Sequence, residues 1–308
     1  MNPIVVKVPA TSANCGPGFD SLGLALELYN TFTFMPDETA TCNTYTFDGF
    51  DAELLAKEDQ ANNLVGYAMQ QVFAKVAVSP IYGTIHSEAA IPPSRGLGSS
   101  STAIVAGLLL ANATLATPLS KHELLLLANE IEGHPDNVAP ALLGNLVCAV
   151  NHEQGLLYTT VTLPDELVFA VVVPDVIVST EYARSVLPKA IAHKEAVANV
   201  SHATLFVTAL LQHKLDYLRI ALEDYLHVPY RKSLIPYCDD VFKVALEQGA
   251  YGATISGSGS TLIAYCSRQS VNQVKEAMAE IFVQNNIACH AYIVEADTVG
   301  ASYINCQK

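Results

Sequence analysis

Pro92-Pro93-Ser94-Arg95-Gly96-Leu97-Gly98-Ser99-Ser100-Ser101-Thr102 runs straight into an apolar stretch, Ala103-Ile104-Val105-Ala106-Gly107-Leu108-Leu109-Leu110. A loop of small residues that opens directly into a helix is an anion cradle. Gly96 and Gly98 allow close approach to a ligand and dihedrals that a side chain forbids. The first N–H groups of the helix have no internal partner and carry the positive end of the dipole. Ser99, Ser100, Ser101 and Thr102 add hydroxyls for phosphate oxygens or a metal. Other glycine loops fit less well. No lysine follows Gly98, as a Walker A loop requires, and Ser101 stands where a dinucleotide fingerprint needs its third glycine. The G-x-S-x-G elbow of hydrolases is absent from the sequence. Taken alone, the segment also suits a plain N-capped core helix after a glycine turn.

The chain of 308 residues is long enough for two domains, each with its own core. Apolar residues make up 51% and charged residues 15%, which excludes a disordered protein. A net charge of -14 repels polyanions and argues against nucleic-acid binding and anionic membranes. Any bound phosphate must therefore be held by local geometry: backbone N–H groups and a helix end, with or without a metal. Seven cysteines, Cys15, Cys42, Cys148, Cys238, Cys266, Cys289 and Cys306, are odd in number and never spaced C-x-x-C. That is the usage of a reducing cytosol, with neither a disulfide framework nor a zinc site. No basic segment followed by an apolar run opens the sequence. The greasiest stretches are broken by Asn112 and Pro118, or by Pro174 and Asp175, short of a membrane span. These features predict a soluble, cytoplasmic protein.

Working outward from the loop, the first third reads mostly as strand: β-branched Ile4 to Val8, alternating Leu22 to Phe34, short Thr44 to Phe47, and Ile81 to Ile91 leading into the loop. Leu64, Val65, Ala68, Met69, Val72, Phe73 and Val76 recur at helical spacing. A helix over Leu124 to Ile131 is entered through a capping box of Ser120 and Glu123, and Asn145 to Val150 closes this half as a strand. Beyond residue 155 the rhythm changes. An apolar strand, Leu167 to Val173, precedes helical patterns over Ala192 to Leu211, Asp216 to Asp224 and Asp239 to Gln248. Two strands then flank Ser256-Gly257-Ser258-Gly259-Ser260, followed by a helix over Val271 to Phe282 and a strand over Ile287 to Val294. This succession predicts an α+β sandwich with helices on one face of an antiparallel sheet.

Two further glycine-punctuated segments join the loop: Pro9-Ala10-Thr11-Ser12-Ala13-Asn14-Cys15-Gly16-Pro17-Gly18-Phe19-Asp20 and Gly252-Ala253-Thr254-Ile255-Ser256-Gly257-Ser258-Gly259-Ser260-Thr261. Between the last two lies Glu132-Gly133-His134-Pro135-Asp136-Asn137-Val138-Ala139-Pro140. In this order the segments resemble the GHMP kinases, ATP-dependent kinases of small molecules, over residues 4 to about 265. Within them the opening Thr-Ser-Ala-Asn-Cys-Gly-Pro-Gly-Phe-Asp is similar to that of homoserine kinases. The mevalonate kinase relatives carry a Pro-Gly-Lys step there, and an aspartate where Asn137 stands. The resemblance implies a two-domain architecture: a β-rich α/β nucleotide domain at 1–155 and a ferredoxin-like α+β sandwich at 156–308. It implies ATP-dependent phosphorylation of the L-homoserine hydroxyl, a step toward threonine, and commonly a homodimer.

The resemblance also implies residue roles. Asp20 would face the substrate ammonium, and Arg184 and Arg231, supported by Thr180, its carboxylate, a task suited to guanidinium. Gly257 would let backbone approach the substrate, and Asn14, His134 and Asn137 would surround the reacting hydroxyl. Each has a plainer role: Asp20 as a turn cap, the arginines as surface charges, His134 as a helix-end residue and Asn137 as a cap of the following helix. Residues Pro92 to Thr102 would hold the triphosphate, and Asn63 would contact adenine, although Asn62 and Asn63 also suit a plain N-cap. Ser100 and Glu130, which aligns better with the family's metal glutamate, would hold Mg²⁺; Glu132 is the alternative, because the loop before His134 is shorter than in many members, and helical phase does not separate the two, Leu124 to Leu127 being apolar all round. With Asn137 in place of an obvious base, catalysis is expected to work by alignment and charge neutralisation. The alternatives are a GHMP kinase for another small alcohol, a non-catalytic ligand-binding relative, and, more remotely, a serine hydrolase using Ser99 to Ser101. Cys15 departs from the aliphatic residue usual in the opening motif; it is either a small buried hydrophobe or a thiol lining the pocket.

Overall fold

Residues 2–57 and 60–304 are described, from a computed structural model. The chain opens with two long strands, β1 (Ile4–Ala13) and β2 (Leu22–Pro36), followed by β3 (Thr44–Gly49), the short α1 (Ala52–Leu55) and α2 (Leu64–Lys75). The register of β1 against β2 shifts between Pro9 and Ala10, where proline offers no ladder N–H. Next come β4 (Gly83–Ala89), α3 (Ser99–Asn112), α4 (Lys121–Glu132), α5 (Pro135–Leu143), β5 (Leu146–His152) and β6 (Gly155–Val161). Helix α4 starts as its sequence predicts: Ser120 Oγ accepts from Glu123 N and Glu123 Oε2 accepts from Ser120 N.

The second half comprises β7 (Leu167–Pro174), α6 (Thr180–Ser185), α7 (His193–Leu211), α8 (Leu218–Ala221), α9 (Val228–Arg231), α10 (Cys238–Glu247), β8 (Gly252–Ile255), β9 (Leu262–Ser267), α11 (Val271–Gln284), β10 (Cys289–Val294) and β11 (Ser302–Tyr303). The first sheet runs β11-β1-β2-β4-β3, with β5 also pairing β2 and β6 pairing β5; within it only β3 and β4 are parallel. The second sheet is antiparallel in the order β10-β7-β9-β8, a ferredoxin-like arrangement into which α6 to α9 are inserted. The boundary expected at 155 falls at the β5–β6 hairpin; β6 and the returning β11 both belong to the first sheet.

Three cores organise the molecule. One joins Val6, Phe34 and Ile85 of the first sheet to α2, α3, α4 and α5. In the second sheet, Val168, Ala170 and Val172 of β7 pack on α10 and α11. The alternate residues Phe169, Val171 and Val173 pack on Phe206 of α7 and on Leu24 and Leu26 of β2. Helices α10 and α11 thus cover one face as expected, and the opposite face is covered too, which is why β7 reads as an uninterrupted apolar run. Among the described residues, no helix is long and apolar enough to cross a membrane.

Candidate active site

A cleft of about 610 Å³ lies where the glycine segments of both halves meet, a size suited to small-molecule ligands. Pro93, Ser94, Gly96, Gly98, Ser99 and Ser100 line it. Gly98 is the N-cap of α3 in the left-handed region (φ 69) and no side chain caps this helix, so its first N–H groups are presented to the cleft. The loop is pinned from several sides. Leu97 O accepts from Thr11 N (3.1 Å), Arg95 O from Thr261 N (2.9 Å) and Gly96 O from Ser256 Oγ (2.7 Å). Asn30 closes its base by accepting from Ile91 N and donating to Thr102 Oγ1, each at 3.0 Å.

Not every residue of 92–102 faces the cleft. Pro92 and Leu97 are buried in the fold, and Thr102 Oγ1 donates back to Ser99 O (2.7 Å) as helical phase turns it inward. Arg95 turns away, its Nη2 pairing with Asp175 Oδ1 (2.8 Å). Ser101 is buried and donates to Glu132 Oε1 (3.0 Å). That contact bears on the acidic residue. Glu130 is exposed and does not line the cleft, whereas Glu132, ending α4, does. Two residues along a helix are about 200° apart, so both cannot face one site. The preference for Glu130 is thereby corrected to Glu132.

The turn from α4 to α5 concentrates the polar groups. Gly133 (φ 86) ends α4, His134 occupies the N-cap position of α5, and Pro135 is its first residue. His134 makes no capping bond; its Nδ1 lies 2.7 Å from Oδ1 of buried Asp136, and this bond raises the imidazole pKa against the opposing effect of burial. Burial pushes the Glu132 carboxyl up, partly offset by His134 and by the Ser101 hydroxyl. Asn137 is not the cap but lies inside the first turn of α5, where Oδ1 accepts from Thr11 Oγ1 (2.7 Å). Glu132, His134, Asp136 and Asn137 all line the cleft.

The cleft is also lined by Asn14, Asp20, Thr180, Arg184, Arg231 and Gly257. Asn14 (φ 71) donates through Nδ2 to Gly257 O (3.0 Å) and accepts from Asp20 N (3.0 Å), tying the opening motif to the third glycine segment. Asp20 and Arg184, assigned to opposite ends of a ligand, are paired with each other by bonds of 2.7 and 3.0 Å. Thr180 begins α6, which Ser179 caps. Arg231 is buried, and its Nε and Nη1 donate to Ala183 O (3.1 Å) and Gly257 O (3.0 Å). Desolvation, with Arg184 nearby, brings its pKa down to about 10, still cationic at neutral pH. Both guanidinium groups lie over the Phe19 ring, at 5.5 Å for Arg184 and 5.2 Å for Arg231. Asn63 lines the cleft too and caps α2, accepting from Val65 N (3.0 Å). Cys15 is fully buried, donates to Ser12 O and has its pKa pushed up to about 12 by burial: it is the small hydrophobe, not a pocket thiol.

Sequence reading missed Asp136, Thr11, Phe19 and Asn30. Thr11 and Phe19 lie in the opening glycine segment and Asp136 in the His-Pro-Asp-Asn stretch, where its position two residues after His134 was a signal. Asn30 had none, because its role depends on two backbone segments brought together by the fold.

A glycine loop at a helix N-terminus, a polar turn facing it and this pair of sheets define a small-molecule kinase of the GHMP class. The GHMP kinases N terminal domain is matched over residues 63–145 and the GHMP kinases C terminal region over 206–284. A homoserine kinase of Desulfitobacterium hafniense is 40% identical over 300 residues, 97% of this chain and 99% of that one. One from Picosynechococcus is 42% identical over 301 residues, with the same 97% and 99% coverage. The crystal structure of homoserine kinase from Cytophaga hutchinsonii superposes with a TM-score of 0.90 at 31% identity, covering 99% of this chain and 98% of that one. Mevalonate kinase of Methanococcus jannaschii, with a TM-score of 0.69 at 12% identity over 99% of each chain, shares the fold alone. The chain belongs to the homoserine kinase family of the GHMP kinases, and it is a kinase.

Proposed function

We propose that the protein transfers the γ-phosphoryl group of ATP to the side-chain hydroxyl of L-homoserine, giving O-phospho-L-homoserine. The observation that carries this reading is the Asp20–Arg184 pair beside Arg231, in the same cleft as the uncapped N-terminus of α3. Asp20 accepts the ammonium and Arg184 and Arg231 take the carboxylate, so a zwitterion replaces the charge partners it separates. An alcohol with only one of the two charges leaves the other side unpaired, and this supports selectivity for an amino acid. The glycine loop and the N–H groups of α3 hold the triphosphate, with Asn63 at the base end. Asn14, His134 and Asn137 surround the hydroxyl. As the new O–P bond forms, the bond to ADP breaks, and the hydroxyl proton passes to a phosphoryl oxygen. A loose transition state makes alignment and charge neutralisation the main requirements.

Ser100 and Glu132 both line the cleft and fit Mg²⁺: a half-buried carboxylate, held by Ser101, and a hydroxyl beside the phosphate loop are hard oxygen ligands, and Mg²⁺ takes one or two of these plus phosphates and water. When bound, it neutralises phosphate charge. The reading extends to a homodimer, which light scattering of the purified protein tests, and to a cytoplasmic location. The test of the activity is ADP release with Mg-ATP, with and without L-homoserine. Stimulation by homoserine, with little by alcohols lacking the ammonium or the carboxylate, is the expected result. Equal turnover of homoserine and a plain diol contradicts the reading.

A further inference from the structure

We infer that Thr11 is a positioning residue that sets the orientation of the Asn137 amide, so that Asn137 meets the reacting groups as a hydrogen-bond donor. The inference rests on the assignment of Asn137 to the phosphoryl-transfer site. Thr11 lies on β1 just past the bulge, is fully buried, and reaches across the molecule to place Oγ1 2.7 Å from Asn137 Oδ1.

An asparagine amide offers an acceptor at one end and two donors at the other, with nearly the same shape. What chooses between them here is the hydroxyl proton of Thr11. Among the described residues its only acceptor is Asn137 Oδ1. With the amide turned over, Thr11 would accept from Nδ2, and its own proton would be left buried without a partner, which is the expensive arrangement. Oδ1 is therefore held inward and Nδ2 is left for the cleft that Asn137 lines.

The pair also lies against the phosphate end of the site. A Cβ on Gly98 would fall 1.9 Å from Thr11 Oγ1 and 3.2 Å from Asn137 Oδ1, so the N-cap of α3 packs directly on both. An amide fixed this way donates to a phosphoryl oxygen or to the lone pair of the substrate hydroxyl. It accepts no proton.

The test is a double-mutant cycle on the full chain with Thr11→Val, Asn137→Ala and both together, plus Thr11→Ser. Valine keeps the shape and removes the donor. We expect Thr11→Val to lower kcat roughly 10- to 100-fold with both KM values little changed, and Thr11→Ser to recover most of the rate. In the Asn137→Ala background, Thr11→Val should have no further effect on kcat. An unchanged kcat in Thr11→Val, or the same loss with and without Asn137, overturns the inference. Should Thr11→Val fail to fold, Asn137→Asp decides: the carboxylate still accepts from Thr11 but turns an oxygen toward the phosphate, so kcat should fall while the thermal midpoint holds. A kcat at or above wild type in Asn137→Asp overturns the inference. Wild-type turnover of homoserine tests the substrate reading separately, since each ratio is taken with whichever alcohol the wild type accepts.

Discussion

At the scale of single residues, the turn from α4 to α5 makes two electrostatic demands that experiments can separate. The folded-state pKa of Glu132 is raised, chiefly by burial. Its charge therefore costs stability above that folded pKa, and the cost vanishes below the unfolded value. Replacing Glu132 by Gln should leave the thermal midpoint in Mg²⁺-free buffer at or above wild type, while kcat falls roughly 100-fold or more. A variant that is less stable and still active would show that the carboxylate serves the fold. His134 is the opposite case, because Asp136 raises its folded pKa. Its stabilising contribution is present below the ordinary histidine pKa and is lost as pH rises through the raised value. Asp136→Asn removes the partner and should cost about 1–3 kcal/mol at mildly acidic pH. The gap from wild type should narrow as pH increases, read from urea midpoints across the range; Glu132 and Arg184 also act on this imidazole, with opposite signs. The residues named from the resemblance at the substrate end, Asn14, Asp20, Thr180, Arg184, Arg231 and Gly257, all line one cleft, although residue chemistry alone left each with a plainer role. The Asp20–Arg184 pairing and the choice of Glu132 over Glu130 were not legible in the sequence, since both depend on where a side chain points after folding.

At the scale of elements, α3 and α4 show two different uses of glycine. Gly98 and Gly133 both adopt positive φ, 69 and 86. Around Gly133 nothing lies within 4 Å of an added Cβ, whereas at Gly98 it would meet Thr11 Oγ1 at 1.9 Å. Gly133→Ala should therefore cost only the backbone penalty, about 1 kcal/mol. Gly98→Ala adds a clash in a packed interior and should cost about 2–4 kcal/mol, with weakened ATP binding. Denaturant melts and nucleotide titrations of the two variants check this; equal effects would mean that the approach of Gly98 to Thr11 is not a constraint. The start of α4 was readable from Ser120 and Glu123 because a capping box is a local device. The start of α5 was not: Asn137 suited a cap, but the helix begins at Pro135 with His134 in the N-cap position, its ring committed to Asp136. Gly23 shows how tightly that turn is held, since a Cβ there would lie 1.7 Å from Asp136 O.

At the scale of the whole molecule, the two sheets share a core. Leu24 and Leu26 of β2 pack in one cluster with Phe169 and Val171 of β7. β11 returns from the second half to pair with β1, and Asn14 and Arg95 O bond to the third glycine segment. Unfolding should accordingly be one cooperative transition, with calorimetric and van't Hoff enthalpies in agreement. Two resolved transitions in a scanning calorimeter would show that the halves fold independently. The sequence by itself determined the composition class, most strands and helices, and the glycine segments with their polar residues. Those are local matters of periodicity, caps and backbone freedom, carried by residues close together in the chain. Tertiary structure alone decided which of those residues meet. Thr11 and Asn137 are 126 positions apart, and Asn14 and Gly257 are 243 apart. Contacts at such separations leave no periodic trace in the sequence, because they follow from sheet order and packing rather than from local propensity.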